Sequence, residues 1–111
     1  MNLKKCLRAP DVCRGVVLAA SDEKIVDAKA LVGRYGLGCE PASAATIVGL
    51  KHLRADGVVG AGERVACVLT GHILKDPDVT VNYHKENQDP FSNPPAEAPN
   101  DLEEIIRLIK S

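Results

Sequence analysis

The chain has 111 residues, 45% of them hydrophobic and 26% charged, with a formal net charge of -1. That length holds one small domain, able to bury roughly 65% of its unfolded surface. The near-neutral balance excludes a nucleic-acid partner, which needs a basic excess for its phosphate contacts. No apolar run reaches the length of a membrane span, and Met1 to Cys6 carries positive charge with no apolar h-region behind it. No membrane partner is expected, and the expected location is the cytoplasm.

From the N-terminus, Leu3 and Leu7 lie four apart with lysines between them, which suits one or two turns of helix ended before Pro10, or a frayed entry. The apolar run Val16 to Ala20, punctuated by Gly15 and Ser21, reads as a buried strand. Ser21 is also an N-cap, with Asp22 and Glu23 in the first turn of a helix where its dipole favours negative charge. Ile25, Ala28, Val32 and Tyr35 then fall on one face, and Gly36 ends the helix as a C′ glycine.

A second helix spans about Pro41 to Asp56, with Pro41 as its first residue and Gly57 after its end. Between Ala42 and Leu50 only Ser43 and Thr46 are polar, so its first half should be buried all round. Its Ala42, Ala45, Gly49 face is small, as it would be where something large comes close. His52, in the amphipathic second half, reads as a surface residue. A connector from Val58 to Arg64 leads to Val65 to Leu69, five apolar residues in a row that stop at Thr70 and Gly71.

A β-branched run of that length reads as a strand buried on both faces, with Thr70 at its carboxyl end. In open α/β sheets that edge binds ligands; the same spacing also suits a strand that merely ends in a polar turn. Ile73 to Asp78 reads as a loop or single turn closed by Pro77, and Val79 to Val81 as a short extended piece. Asn82 to Pro99 is polar, aperiodic and holds four prolines, the character of an arm. Asn100 begins a last helix, with Glu103 in the capping-box position and Leu102, Ile105, Ile106 and Ile109 as its apolar stripe.

The fold class expected is α/β, a partial parallel sheet with flanking helices, divided into residues 1-84, an arm at 85-99 and a helix at 100-111. Two strands and an all-round apolar helix are more interior than this chain can wrap, so it expects a partner or a larger body. The cysteines at 6, 13, 39 and 67 fit no metal spacing and read as buried free thiols, and no two histidines share a helix face. A metal- or redox-linked role for Cys39 and Cys67 is a weaker alternative.

Gly38 to Ala45 (GCEPASAA) and Val68 to Pro77 (VLTGHILKDP), in register, resemble the C-terminal part of threonine synthase, a pyridoxal-phosphate enzyme of fold type II. Gly15 to Ala30 and Pro99 to Ile106 are similar to the flanking segments of that family. The resemblance implies the conversion of O-phospho-L-homoserine and water to L-threonine and phosphate. It matches Thr70 to the hydroxyl that hydrogen-bonds the cofactor's pyridine nitrogen. An aspartate there would hold the nitrogen protonated, whereas threonine can donate to a neutral one and moderates the electron sink.

By the same resemblance Glu40 matches a cofactor-side glutamate, though an exposed N-cap carboxylate is an equal reading. Ala42 and Ser43 would line the pocket, with Gly71 and His72 bordering the ring. Lys75 and Asp76 read as a structural turn. Many members carry Gly where this chain has Ile73. No residue matches the family's Schiff-base lysine or its glycine-rich phosphate loop, so no catalytic residue is assigned, and the chain is expected to be inactive by itself. The partners this implies are the missing N-terminal part of the enzyme or an oligomer partner, and phosphohomoserine as small molecule. A non-catalytic interaction module and a fragment of a related serine or threonine dehydratase are the alternatives.

Overall fold

A computed structural model describes residues 3–86 and 91–111. Five helices follow in order: α1 (Leu3–Cys13), α2 (Asp22–Arg34), α3 (Pro41–Ala55), α4 (Pro77–Glu86) and α5 (Leu102–Lys110). The core is the seam where α2 packs on α3, with α4 against the far side of α2. It holds Ala28 and Val32 of α2, Ala44 and Val48 of α3, and Cys39 from the connector, with Ile25, Ile47, Ala20 and Leu69 packed around them. Small side chains let the two helices approach closely, and they also make a thin core.

The ends of α2 and α3 follow from their sequences. Gly36 (φ 77°) and Gly57 (φ 73°) adopt the left-handed conformation that ends a helix. At each, the next residue turns its amide back to the helix: Leu37 N donates to Val32 O at 3.3 Å and Val58 N to Leu53 O at 2.9 Å. Pro41 occupies the start of α3 as expected. Ser21 does precede α2, but its side chain makes no capping hydrogen bond, and Tyr35 is 79% exposed rather than on the buried face.

Several expectations are corrected. Among the described residues there is no strand, so the expected parallel sheet is not formed. The segments at 16–20 and 65–69 carry no backbone hydrogen bond to one another, and Val17 (74%) and Val68 (66%) stand exposed. A strand exists only through its neighbours, and a segment built to be buried on both faces needs one on each side.

The other corrections concern helix ends. Helix α1 runs through Pro10, forfeiting the bond to the Cys6 carbonyl, a loss tolerable because water reaches this exposed helix. Pro77 opens α4 instead of closing a turn, and Val79 to Val81 are helical; proline suits a first helical position because that amide has no partner anyway. The arm therefore begins later than Asn82, and residues 87–90 of it lie outside the described residues. The cap of α5 is Asp101, whose Oδ1 accepts the Glu104 amide at 3.0 Å, one residue beyond the expected Asn100.

No residue of α5 is buried. The radius of gyration is 17.5 Å, against about 13 Å for a compact domain of this length. Of the cysteines, all free, Cys39 is buried and Cys67 half-buried, but Cys6 and Cys13 are exposed, against the expectation of buried thiols. Among the described residues no helix is long and apolar enough to cross a membrane.

Candidate functional site: a hydroxyl held at the start of a helix

The start of α3 and the loop after Leu69 are tied together around Ser43, which is 2% exposed. Its hydroxyl oxygen accepts the Thr70 amide at 2.9 Å and the Gly71 amide at 3.1 Å. One turn back, the Glu40 amide donates to the Gly71 carbonyl at 3.1 Å. Two residues of the loop are thus clamped to the first turn of the helix by three bonds.

The directions of the remaining bonds follow from atom inventory. A hydroxyl has two acceptor sites and one proton. Both acceptor sites of Ser43 are taken by amides, so in its 3.1 Å contact with the Thr70 hydroxyl, Thr70 is the acceptor. The Thr70 proton is then free to point to Glu40 Oε1, at 3.3 Å. This is a long bond, easily exchanged for a better acceptor.

Glu40 is also paired with Lys75, Nζ to Oε2 at 2.9 Å, the carboxylate side chain 15% exposed and the lysine 65%. The Lys75 hydrogen bond first, then its charge and the Thr70 hydroxyl, hold the Glu40 carboxyl below the ordinary carboxylate range against partial desolvation. In return the hydrogen bond and charge of Glu40 push Lys75 up. The pairing favours the ammonium form of Lys75, the reverse of what activates a lysine nucleophile.

Two glycines make the close approaches possible. A Cβ on Gly71 would run into the Glu40 carboxyl, and one on Gly38 would lie 2.7 Å from Ile73 Cβ. The β-branched side chain of Ile73 is therefore accommodated over Gly38.

Of the residues expected at the site, Thr70, Glu40, Ser43 and Gly71 are brought together. Ala42 is exposed and makes no part of this network, and His72 turns its Nδ1 to the Leu74 amide at 3.1 Å. Lys75, read from sequence as part of a turn, is a direct partner of Glu40, 35 positions away. Nothing in the local pattern announces it. No cluster of three or more metal-binding side chains occurs among the described residues.

On the other face of the same connector, Lys29 is only 7% exposed, its Nζ donating to Thr80 Oγ1 at 2.7 Å, while Tyr83 donates to Asp27 Oδ1 at 2.9 Å. Lysine on a helix normally signals solvent, which is why sequence reasoning missed it.

The arrangement is a positioned hydroxyl beside a carboxylate that is itself paired with a lysine. Comparison with known proteins names the family. No family model matches the chain, but individual threonine synthases do. That of Methanocaldococcus jannaschii is 42% identical over 78% of this chain, that of Mycobacterium bovis 47% over 68%, and that of Halalkalibacterium halodurans 37% over 86%. The chain is homologous to the C-terminal part of threonine synthases. It spans about a fifth of the length of these relatives, 22% for the first.

Proposed function

We propose that this chain is the part of a threonine synthase that forms the pyridine-nitrogen side of the pyridoxal-phosphate pocket. The whole enzyme converts O-phospho-L-homoserine and water to L-threonine and phosphate. The observation that carries the reading is the Thr70 hydroxyl, fixed by buried Ser43 with its proton directed away from Ser43. The residues fit a pyridine nitrogen: Thr70 offers a donor whose present acceptor, at 3.3 Å, is a weak one.

The bound cofactor would supply the electron sink. Thr70 would hold the ring nitrogen by a hydrogen bond from its hydroxyl, and Ser43 keeps the Thr70 backbone from drifting. Glu40, the present acceptor of the Thr70 hydroxyl, is paired with Lys75, which offsets its negative charge beside the site. The lysine and phosphate-gripping loop that complete the chemistry match no residue of this sequence.

The exposed segments at 16–20 and 65–69 support the same reading. With Ala45, Gly49 and Leu53 of α3 they line an open apolar groove of about 500 Å³. Mixing the chain with an N-terminal partial threonine synthase and pyridoxal phosphate is expected to restore phosphate release from phosphohomoserine. No gain over the partial chain alone overturns the proposal.

The groove equally favours a second reading, a non-catalytic module that docks on a full-length relative. In that case size exclusion with light scattering shows a complex, with no gain in turnover. Threonine or serine deamination in place of phosphate release would indicate the dehydratase alternative.

A further inference from the structure

A cavity of about 40 Å³ lies between α2, α4 and the connector, with Ile73 also on its wall. Its walls are largely apolar, and the polar side chains among them are those of Lys29, Thr80, Cys39, His84 and Tyr83, the last with its hydroxyl donated to Asp27. All of these can donate. Lys29 makes one hydrogen bond among the described residues, to Thr80, so two of its three N–H groups have no acceptor there. His84 Nδ1 accepts the Asn93 amide at 3.0 Å, which leaves the proton of the neutral ring on Nε2.

The usual counter-charges are missing from this space among the described residues. No carboxylate pairs with Lys29 among the described residues. Asp27, on the same helix, is engaged by the Tyr83 hydroxyl, and Glu40 by Lys75. Asp78 is in the first turn of α4 but is exposed and not among the cavity walls. Burial pushes the Cys39 thiol up, so it stays protonated and supplies no negative charge. Burial likewise pulls Lys29 down, and burial followed by the Lys29 charge pulls His84 down.

A buried cation that is short of acceptors, in a space with room for about three waters, fits a ligand carrying negative charge and several acceptor atoms. We propose that the cavity bounded by Lys29, Thr80 and His84 binds a small inorganic anion no larger than phosphate. Lys29 and Thr80 contact it directly, with His84 as a further donor. The site is independent of the cofactor reading, since none of its residues belongs to the Thr70, Ser43, Glu40, Lys75 network.

The test uses the isotopically labelled full chain, titrated with chloride, sulfate or phosphate at constant ionic strength. Saturable amide shifts confined to Lys29, Thr80, Tyr83 and His84, with an upward shift of the His84 ring titration, support the site. Response to sulfate and phosphate alone makes it an oxyanion site, and response to chloride as well makes it a general anion site. Lys29→Met, which suits a buried position, should weaken binding at least about tenfold, and Thr80→Val should weaken it less. As a second measurement, phosphate should raise the urea midpoint of the original chain and not that of Lys29→Met. Equal responses of the two chains, or no saturable shift with any anion, overturn the proposal.

Discussion

Ser43 accepts the backbone amide of Thr70 at 2.9 Å, although 27 positions separate them. The bond makes a buried serine the fixed point of the loop that carries the candidate cofactor contact. Removing its hydroxyl by Ser43→Ala strands two amides, at about 1–3 kcal/mol for each buried donor left without a partner. The Thr70 and Gly71 amides are then expected to exchange with solvent at least tenfold faster, about 1.4 kcal/mol, as read by hydrogen-exchange NMR. Unchanged exchange at both amides would show that the serine does not hold the loop.

Gly38 and Gly71 should respond differently to alanine. The new methyl at Gly38 meets Ile73 Cβ at 2.7 Å, and that atom cannot move without the backbone. Gly38→Ala is expected to cost about 1–3 kcal/mol in urea unfolding, largely recovered in the Gly38→Ala, Ile73→Ala double variant. At Gly71 the obstacle is the tip of the flexible Glu40 side chain. Gly71→Ala should fold with little loss while expelling the carboxyl, detected as a Glu40 titration back in the ordinary carboxylate range.

The Glu40 to Lys75 pair gives the loop a pH window. The carboxyl is depressed in the folded chain, so its contribution is present above the ordinary carboxylate pKa and is lost as pH falls through the lowered value. Lys75 is raised, so its contribution is present below the ordinary lysine pKa and is lost as pH rises through the higher value. Exchange protection of the loop should therefore be flat through neutral pH and fall only at the acid and alkaline extremes. In Lys75→Met the acid limb should move up in pH, which carbon-detected titration of Glu40 checks.

In the reassembled enzyme, Thr70→Val keeps the shape of the side chain and deletes the donor. Phosphate release is expected to fall about ten- to a hundredfold, while Thr70→Ser retains most of it. Equal activity of the valine variant would remove Thr70 from the pocket.

Much of the helical framework was legible in the chain because its signals are local. The glycine at 36 and the proline at 41 bound α2 and α3 through the backbone angles that those residues allow or enforce. Proline was also the source of error: Pro10 sits inside α1 and Pro77 begins α4, and which role a proline takes depends on whether the next turns are stabilised. Thr70, Glu40, Ser43 and Gly71 were legible through their likeness to a family, not through periodicity. Ala42 shared the same motif, yet its position on the helix turns it out to solvent.

The sequence by itself determined where α2 and α3 lie and which family the chain is related to, since both are written in neighbouring residues. Only the tertiary structure decided that Lys75 meets Glu40, that Lys29 is interior, and that the segments at 16–20 and 65–69 remain unpaired. Pairing, burial and sheet formation are properties of what lies across a gap in space, and residues distant along the chain carry no local mark of meeting there.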